Sequence, residues 1–302
     1  MYRQILIPLD GSAFAETALP LALEISRRTG AKVHVTTVLE PVTSFAYEGW
    51  EGAAVEWSNQ YLEDVLKRIK GQAGGKVTHA VLSGHTIDML QGECEAHGVD
   101  VVVMASHGRG TMSRLWLGSV ADGFVRQAGV PVVVVRPEAS AEAMSTFEHT
   151  FETLFIPLDG SELSEQALGH ATEFGELFDS AYHLTRIVSY PVDIASPYLP
   201  HTAQLNQQIL DDAKKGAADY LEAHAENMRR RGLRVTTSVA VDAQAGHGIL
   251  SESEAVGADM VAMATHGRKG LSRAILGSAA DKVLRGLHLP LLLYRPSNAL
   301  ED

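Results

Sequence analysis

Two short segments, each present twice, carry residue types able to hold a charged ligand. The first is Pro8-Leu9-Asp10-Gly11-Ser12, repeated as Pro157-Leu158-Asp159-Gly160-Ser161. The second runs from Ala105-Ser106-His107-Gly108-Arg109-Gly110 to Gly118-Ser119, and its counterpart contains Ala264, Gly267, Arg268, Gly270, Gly277 and Ser278. Gly108 and Gly110 let backbone approach a ligand closely. Gly118-Ser119 stands before a helical pattern, so its free amides and the positive end of the helix dipole face outward, and Ser119 adds a hydroxyl donor. The chemistry implied is anion binding, most simply of phosphate. Arg109 and Arg114, with Arg268 and Arg273 in the second copy, add positive charge. A plainer reading stands beside each: Gly-Ser before a helix is commonly a cap, and Asp-Gly is commonly a turn. The two copies descend from one ancestor, so they do not count as independent support.

Other chemistries find less footing. Thirteen histidines form no HExxH or similar spacing, no GxSxG elbow occurs, and no Walker A lysine follows the glycines. His107 and His266 lie inside the glycine-bearing loop and are read as shaping it. Cys94 lies on an apolar helix face as an inert thiol, and Met104 and Met263 close buried strands. Arg229-Arg230-Arg231 is a solvated helix end that suits the negative end of the dipole.

The elements that must position these residues are themselves duplicated. QILIPLDGS at 4–12 matches TLFIPLDGS at 153–161, an offset of 149. MASHGRGTMSRLWLGSVAD at 104–122 matches MATHGRKGLSRAILGSAAD at 263–281, an offset of 159. The second copy thus carries ten extra residues between its motifs, expected after its second strand and partly after its third. The expected domains are 1–137 and 152–302, joined by a polar, small-residue linker at 138–151.

Each half alternates strand and helix patterns. In the first, strands are expected at Ile5–Leu9, Val33–Leu39, Val77–Leu82, Val99–Ala105 and Val130–Val135. Helices fall at Ala15–Arg28, with Gly30 as C-cap, at Val55–Ile69, from Thr86, and after Gly118-Ser119. The second half repeats this with strands Leu154–Leu158, Tyr182–Val188, Val235–Val241, Met260–Ala264 and Leu289–Leu293, and with a longer helix near Gln204–Arg231. This order is α/β: two tandem doubly wound domains, each a five-stranded parallel sheet of order 3-2-1-4-5 with helices on both faces. Ligands of such sheets bind beyond the carboxyl ends of the strands, where strand order reverses. The apolar fifth strands are sheet edges, and bare edges tend to pair.

Composition fits this picture. The chain has 302 residues, 45% apolar and 21% charged, with a net charge of −12. Residues 1–150 carry 12 basic and 17 acidic groups and residues 151–302 carry 13 and 20, so the halves are −5 and −7. That balance argues against nucleic acid or an anionic membrane as partner. One cysteine excludes an internal disulfide and a cysteine-based zinc site. No apolar stretch approaches the ~18 residues of a membrane span. Met1–Pro8 runs straight into a strand without a signal-like apolar region, so a cytoplasmic location is expected.

Taken together, IPLDGS near each start and the HGR…LGS…P…RP endings resemble the universal stress protein family. The chain looks like a tandem member with two UspA-type domains over nearly its whole length. The family's nucleotide-binding pattern of Gly, two residues, Gly, nine residues, Gly and Ser or Thr falls on Ala105, Gly108, Gly118 and Ser119, and on Ala264, Gly267, Gly277 and Ser278. Both copies keep the spacing and both replace the first glycine by alanine. The resemblance implies an adenine-nucleotide-binding stress or regulatory protein: ATP, or ADP or AMP, with Mg²⁺ able to bridge the phosphates and with little or slow hydrolysis. It implies contacts from Asp10 and Asp159 near the nucleoside or its metal, with Pro8 and Pro157 before them. Val38 and Ile187 would lie beside adenine, Arg109 and Arg268 near the phosphates, and Val120 and Ala279 would present amides. For Val38 and Ile187 the residues alone read as strand core. The family also implies pairing of the two halves through their fifth strands within one chain, and a homodimer of chains as a further expectation. Two alternatives remain: a nucleotide hydrolase or transferase of the adenine-nucleotide alpha-hydrolase-like group, and a partner-binding protein with one or both sites empty.

Overall fold

The computed structural model of the chain describes residues 1–41, 50–106, 118–136, 150–190, 202–265 and 276–295. The chain divides into two compact units: Met1–His149 with His288–Ser297, and Thr150–Leu287 with Asn298–Asp302.

Unit 1 holds β1 (Gln4–Pro8), α1 (Ala18–Thr29), β2 (Lys32–Leu39), α2 (Trp50–Ile69), β3 (Val77–Ser83), α3 (Thr86–His97), β4 (Val101–Ala105), α4 (Ser119–Gln127) and β5 (Val132–Val135). Its sheet runs β3-β2-β1-β4-β5 with parallel neighbours, Ile5 pairing with both Val33 and Val101. The strand Leu291–Tyr294, labelled β10, joins this unit antiparallel to β5, with Leu292 opposite Val133. The last strand of the second sequence repeat therefore belongs to the unit built by the first.

Unit 2 holds β6 (Thr153–Pro157), α5 (Glu162–Phe178), β7 (Ala181–Val188), α6 (Thr202–Arg230), β8 (Val235–Val241), α7 (Ala245–Ala255), β9 (Met260–Ala264) and α8 (Ser278–Gly286). Its sheet runs β9-β6-β7-β8, all parallel. α6 has 29 residues against 20 in α2, so most of the ten-residue excess of the second repeat is extra helix.

Burial explains the strands. Ile5, Leu6 and Ile7, Val101–Val103, and Leu154–Ile156 are essentially inaccessible to solvent, because helices cover both faces of a parallel sheet. Helix ends follow local chemistry. Pro20 lacks an amide hydrogen and so sits in the first turn of α1; the residues before it form a 3-10 turn, Ala15–Thr17. Gly30 closes α1 at φ +73°. Ser161 opens α5 by accepting from the Ser164 amide at 3.2 Å.

Candidate functional site

In unit 1 the chain leaves the carboxyl ends of three adjacent strands at Val38–Leu39, Pro8–Asp10 and Ala105–Ser106. β2 lies on one side of β1 and β4 on the other, so strand order reverses between β1 and β4. Unit 2 repeats this between β6 and β9.

The exit of β1 is a turn built by its aspartate. Asp10 Oδ1 accepts from the Ser12 amide at 2.9 Å and the Ser12 hydroxyl at 2.6 Å, and Ser12 Oγ accepts from the Ala15 amide at 3.1 Å. In unit 2, Asp159 Oδ1 accepts from Ser161 N at 2.9 Å and Ser161 Oγ at 2.6 Å. Gly11 and Gly160 between them adopt φ +84° and +82°, a conformation that an L side chain strains to reach. The turn role of each aspartate is thus realised: one carboxylate oxygen ties the loop to the start of the following helical segment.

The exit of β4 is tied to the start of α4. The Gly118 amide donates to the Ser106 carbonyl at 2.7 Å, and the Gly277 amide to the Thr265 carbonyl at 2.9 Å. Each glycine is the N-cap of its helix and has no side chain to satisfy the first-turn amides. Gly118 and Val120 are half-buried and Ser119 is exposed; Gly277, Ala279 and Ser278 repeat that pattern residue for residue. Each helix then carries an internal ion pair, Asp122 to Arg126 at 2.8 and 2.9 Å and Asp281 to Arg285 at 3.0 and 3.1 Å. Acid in the first turn and base in the last complement the dipole.

Val38 and Ile187 are half-buried at the ends of β2 and β7, Pro8 is half-buried and Pro157 buried. Ala105 and Ala264 are 7% and 6% exposed as the last residues of β4 and β9, so their methyl groups are absorbed by the packing around each strand. Asp10, Val38, Ala105, Gly118, Ser119 and Val120 thus share one end of unit 1. Asp159, Ile187, Ala264, Gly277, Ser278 and Ala279 share the matching end of unit 2. Gly108, Arg109, Gly110, Arg114, Gly267, Arg268, Gly270, Arg273 and the histidines at 107 and 266 lie outside the described residues.

A tyrosine–glutamate pair that no motif marks lies beside the first turn in each unit. Tyr61 donates to Glu16 Oε1 at 3.0 Å, and Arg68 reaches the same carboxylate with two bonds of 2.8 Å. In unit 2, Tyr220 donates to Glu165 at 2.8 Å, and the Arg186 guanidinium lies 5.1 Å from the Tyr220 ring centre. Burial, then the neighbouring glutamate, raises both phenols, so they stay protonated donors. The signal was available, because Glu16/Glu165 and Tyr61/Tyr220 obey the two repeat offsets.

The third-strand exits differ. In unit 1 the Thr86 hydroxyl donates to Glu40 at 2.7 Å, and the Thr86 bonds hold that carboxyl below its usual range. In unit 2 Asp242 accepts from the Gln244 amide at 2.7 Å and faces His247 Nδ1 at 2.6 Å; the Gln244 bond, then the His247 contact, holds the Asp242 carboxyl low.

Comparison with known proteins follows the same duplication. The model of the universal stress protein family matches residues 1–136 and again 150–295. A universal stress protein of Methanocaldococcus jannaschii is 28% identical over 149 residues, which is 49% of this chain and 84% of that protein. A Staphylococcus haemolyticus relative is 30% identical over 146 residues, 47% of this chain and 88% of its own. The crystal structure of a universal stress protein from Archaeoglobus fulgidus shares the fold at a TM-score of 0.71 and 19% identity, covering 97% of this chain and 96% of that one. No helix among the described residues is long and apolar enough to cross a membrane.

Proposed function

The chain belongs to the universal stress protein family, and from that premise we propose that each repeat binds an adenine nucleotide at its switch point and acts as a ligand-responsive stress protein. The observation that carries this reading is the pinned helix start: the Gly118–Ser106 and Gly277–Thr265 bonds hold a side-chain-free helix N-terminus beside an Asp-Gly-Ser turn, twice in one chain. The residues fit the group. First-turn amides and the hydroxyls of Ser119 and Ser278 suit phosphate oxygens. The apolar strand ends at Val38 and Ile187 suit a purine face, and Asp10 and Asp159 suit a ribose or an accompanying Mg²⁺. The buried alanines at 105 and 264 keep their methyl groups within the strand packing. Bound nucleotide would supply the phosphate charge that these amides and hydroxyls hold.

Every contact in this reading is with a ground-state ligand. Amides, hydroxyls and apolar strand ends abstract no proton, and the Asp10 and Asp159 carboxylates are tied to the Ser12 and Ser161 turns and assigned to the ribose or Mg²⁺, so hydrolysis is slow. The differing third-strand exits favour unequal affinities at the two sites.

The test is Gly118→Asp, made separately from Gly277→Asp. Aspartate is a favoured N-cap, so the new carboxylate takes the first-turn amides and the helix keeps or gains stability. The same carboxylate repels phosphate. Each variant should lose one nucleotide site, at least tenfold in affinity by titration calorimetry, with an unchanged or raised melting temperature. Full binding in both variants would refute the assignment.

A further inference from the structure

We propose that His34, Glu93 and His97 form a binding site for a borderline first-row divalent cation, Zn²⁺ foremost, between β2 and α3 of unit 1. His34 Nε2 lies 2.6 Å from Glu93 Oε1 and His97 Nε2 lies 3.0 Å from the same atom. The three ligand atoms fall within 4.8 Å of one another. Glu93 and His97 are four residues apart, so α3 presents them on one face. The two imidazoles stack with centres 4.3 Å apart, which brings two ring nitrogens to a single carboxylate oxygen. Two imidazoles and a carboxylate are a zinc donor set that leaves a fourth position for water. Hard cations such as Mg²⁺ prefer all-oxygen sites.

The outer partner is also in place. Thr78 Oγ1 lies 2.8 Å from His34 Nδ1. A hydroxyl can donate or accept, so it serves either tautomer. Without metal, Nε2–H donates to Glu93 and Nδ1 accepts from Thr78. With metal on Nε2, the proton sits on Nδ1 and is donated to Thr78, a second-shell bond that fixes the ring. The imidazole stays neutral in both states. His34 is 2% exposed and His97 nearly half exposed, so the cluster opens to solvent on one side only.

Unit 2 shows what the same frame does as plain packing. His183 stands in the register of His34, paired with Thr236 as His34 is with Thr78. Its Nδ1 lies 2.9 Å from Thr236 Oγ1 and its Nε2 lies 2.8 Å from Ser238 Oγ; Ser238 then donates to Glu252 at 2.7 Å. A hydroxyl thus separates imidazole from carboxylate, and Val256 occupies the helical position of His97. In unit 1 both features change together. Ala80 replaces the intervening serine, so Glu93 meets the imidazole directly, and His97 supplies a second nitrogen. A buried histidine needing one partner requires neither change; a cation requires both.

The experiment uses the full chain stripped with a chelator and dialysed free of it. Zn²⁺ is titrated against a chromophoric competitor, and Co²⁺ is added separately to read visible ligand-field bands. Wild type should bind one Zn²⁺ through this site at micromolar affinity or better. His97→Val copies the residue unit 2 already uses at a half-exposed helix end, and should weaken that binding about 100-fold and abolish the matching cobalt bands. Glu93→Gln should weaken it similarly. Saturating Zn²⁺ should raise the melting temperature of wild type but not of His97→Val. No Zn²⁺ bound at micromolar affinity would overturn the proposal. Binding and cobalt bands unchanged in both variants would also overturn it, because the ion would then sit on other histidines.

Discussion

Gly248 turns its bare Cα toward Ile187: a Cβ built there would lie 2.8 Å from Ile187 Cγ2 and 3.0 Å from the Asp242 Cβ. α7 therefore packs directly on the strand end where the purine of the second site is proposed to rest. Unit 1 solves the same junction with a larger residue, Met89, whose side chain closes over Gly84.

Gly248→Ala forces Ile187 or the helix to move. Overpacking of this kind costs about 1–3 kcal/mol, set against about 1 kcal/mol gained by removing glycine from a helix. The variant should lower the urea midpoint and weaken only the nucleotide site of unit 2. Equal loss at both sites would contradict the local account.

Ser161→Ala removes the cap of α5 and the hydroxyl that Asp159 accepts from at 2.6 Å. Loss of such a cap costs about 1 kcal/mol. Denaturant unfolding should register it, and Ser161→Asp, which can still accept from the Ser164 amide, should recover part of it.

Acid should weaken the fold in a defined window. Burial holds the imidazoles of His34, His170 and His183 below their ordinary pKa of 6.5. The native state then binds fewer protons than the unfolded chain, so stability rises with pH. The contribution is complete above about pH 6.5 and is lost as pH falls toward the native-state values. The depressed carboxylates of Glu40 and Asp242 act at lower pH, losing their contribution only below their ordinary range. The urea midpoint should therefore fall between pH 7.5 and 5.5. A flat or rising midpoint over that interval would show that these imidazoles protonate without cost.

Much of the fold is legible in the residues because each element carries its own signal. Val101–Ala105 is apolar throughout, as a doubly covered strand must be, and Gly30 marks the end of α1. Where prolines intervene the boundaries shift. β5 begins at Val132 rather than Val130, after Pro131, and β10 begins at Leu291, after Pro290. α5 ends on Asp179 at φ +54°, a place where glycine would be expected and none stands. The pairing of β10 with β5 is the fifth-strand pairing that the family resemblance implies; the residues alone, an apolar edge, state that the strand pairs but not where. The proposed nucleotide frame draws on two short segments, each repeated, which is why the residues alone point to it. The His34 cluster is not legible in this way, because His34 lies 59 residues before Glu93 and meets it through the β2–α3 packing.

The most direct measurement is the nucleotide released on denaturing freshly purified protein, identified by mass spectrometry and counted per chain by absorbance. The account predicts adenine nucleotide, predominantly ATP, at about two per chain when both switch points are filled and about one when the unequal third-strand exits leave only one site tight. Protein that carries none and binds no added ATP would contradict it.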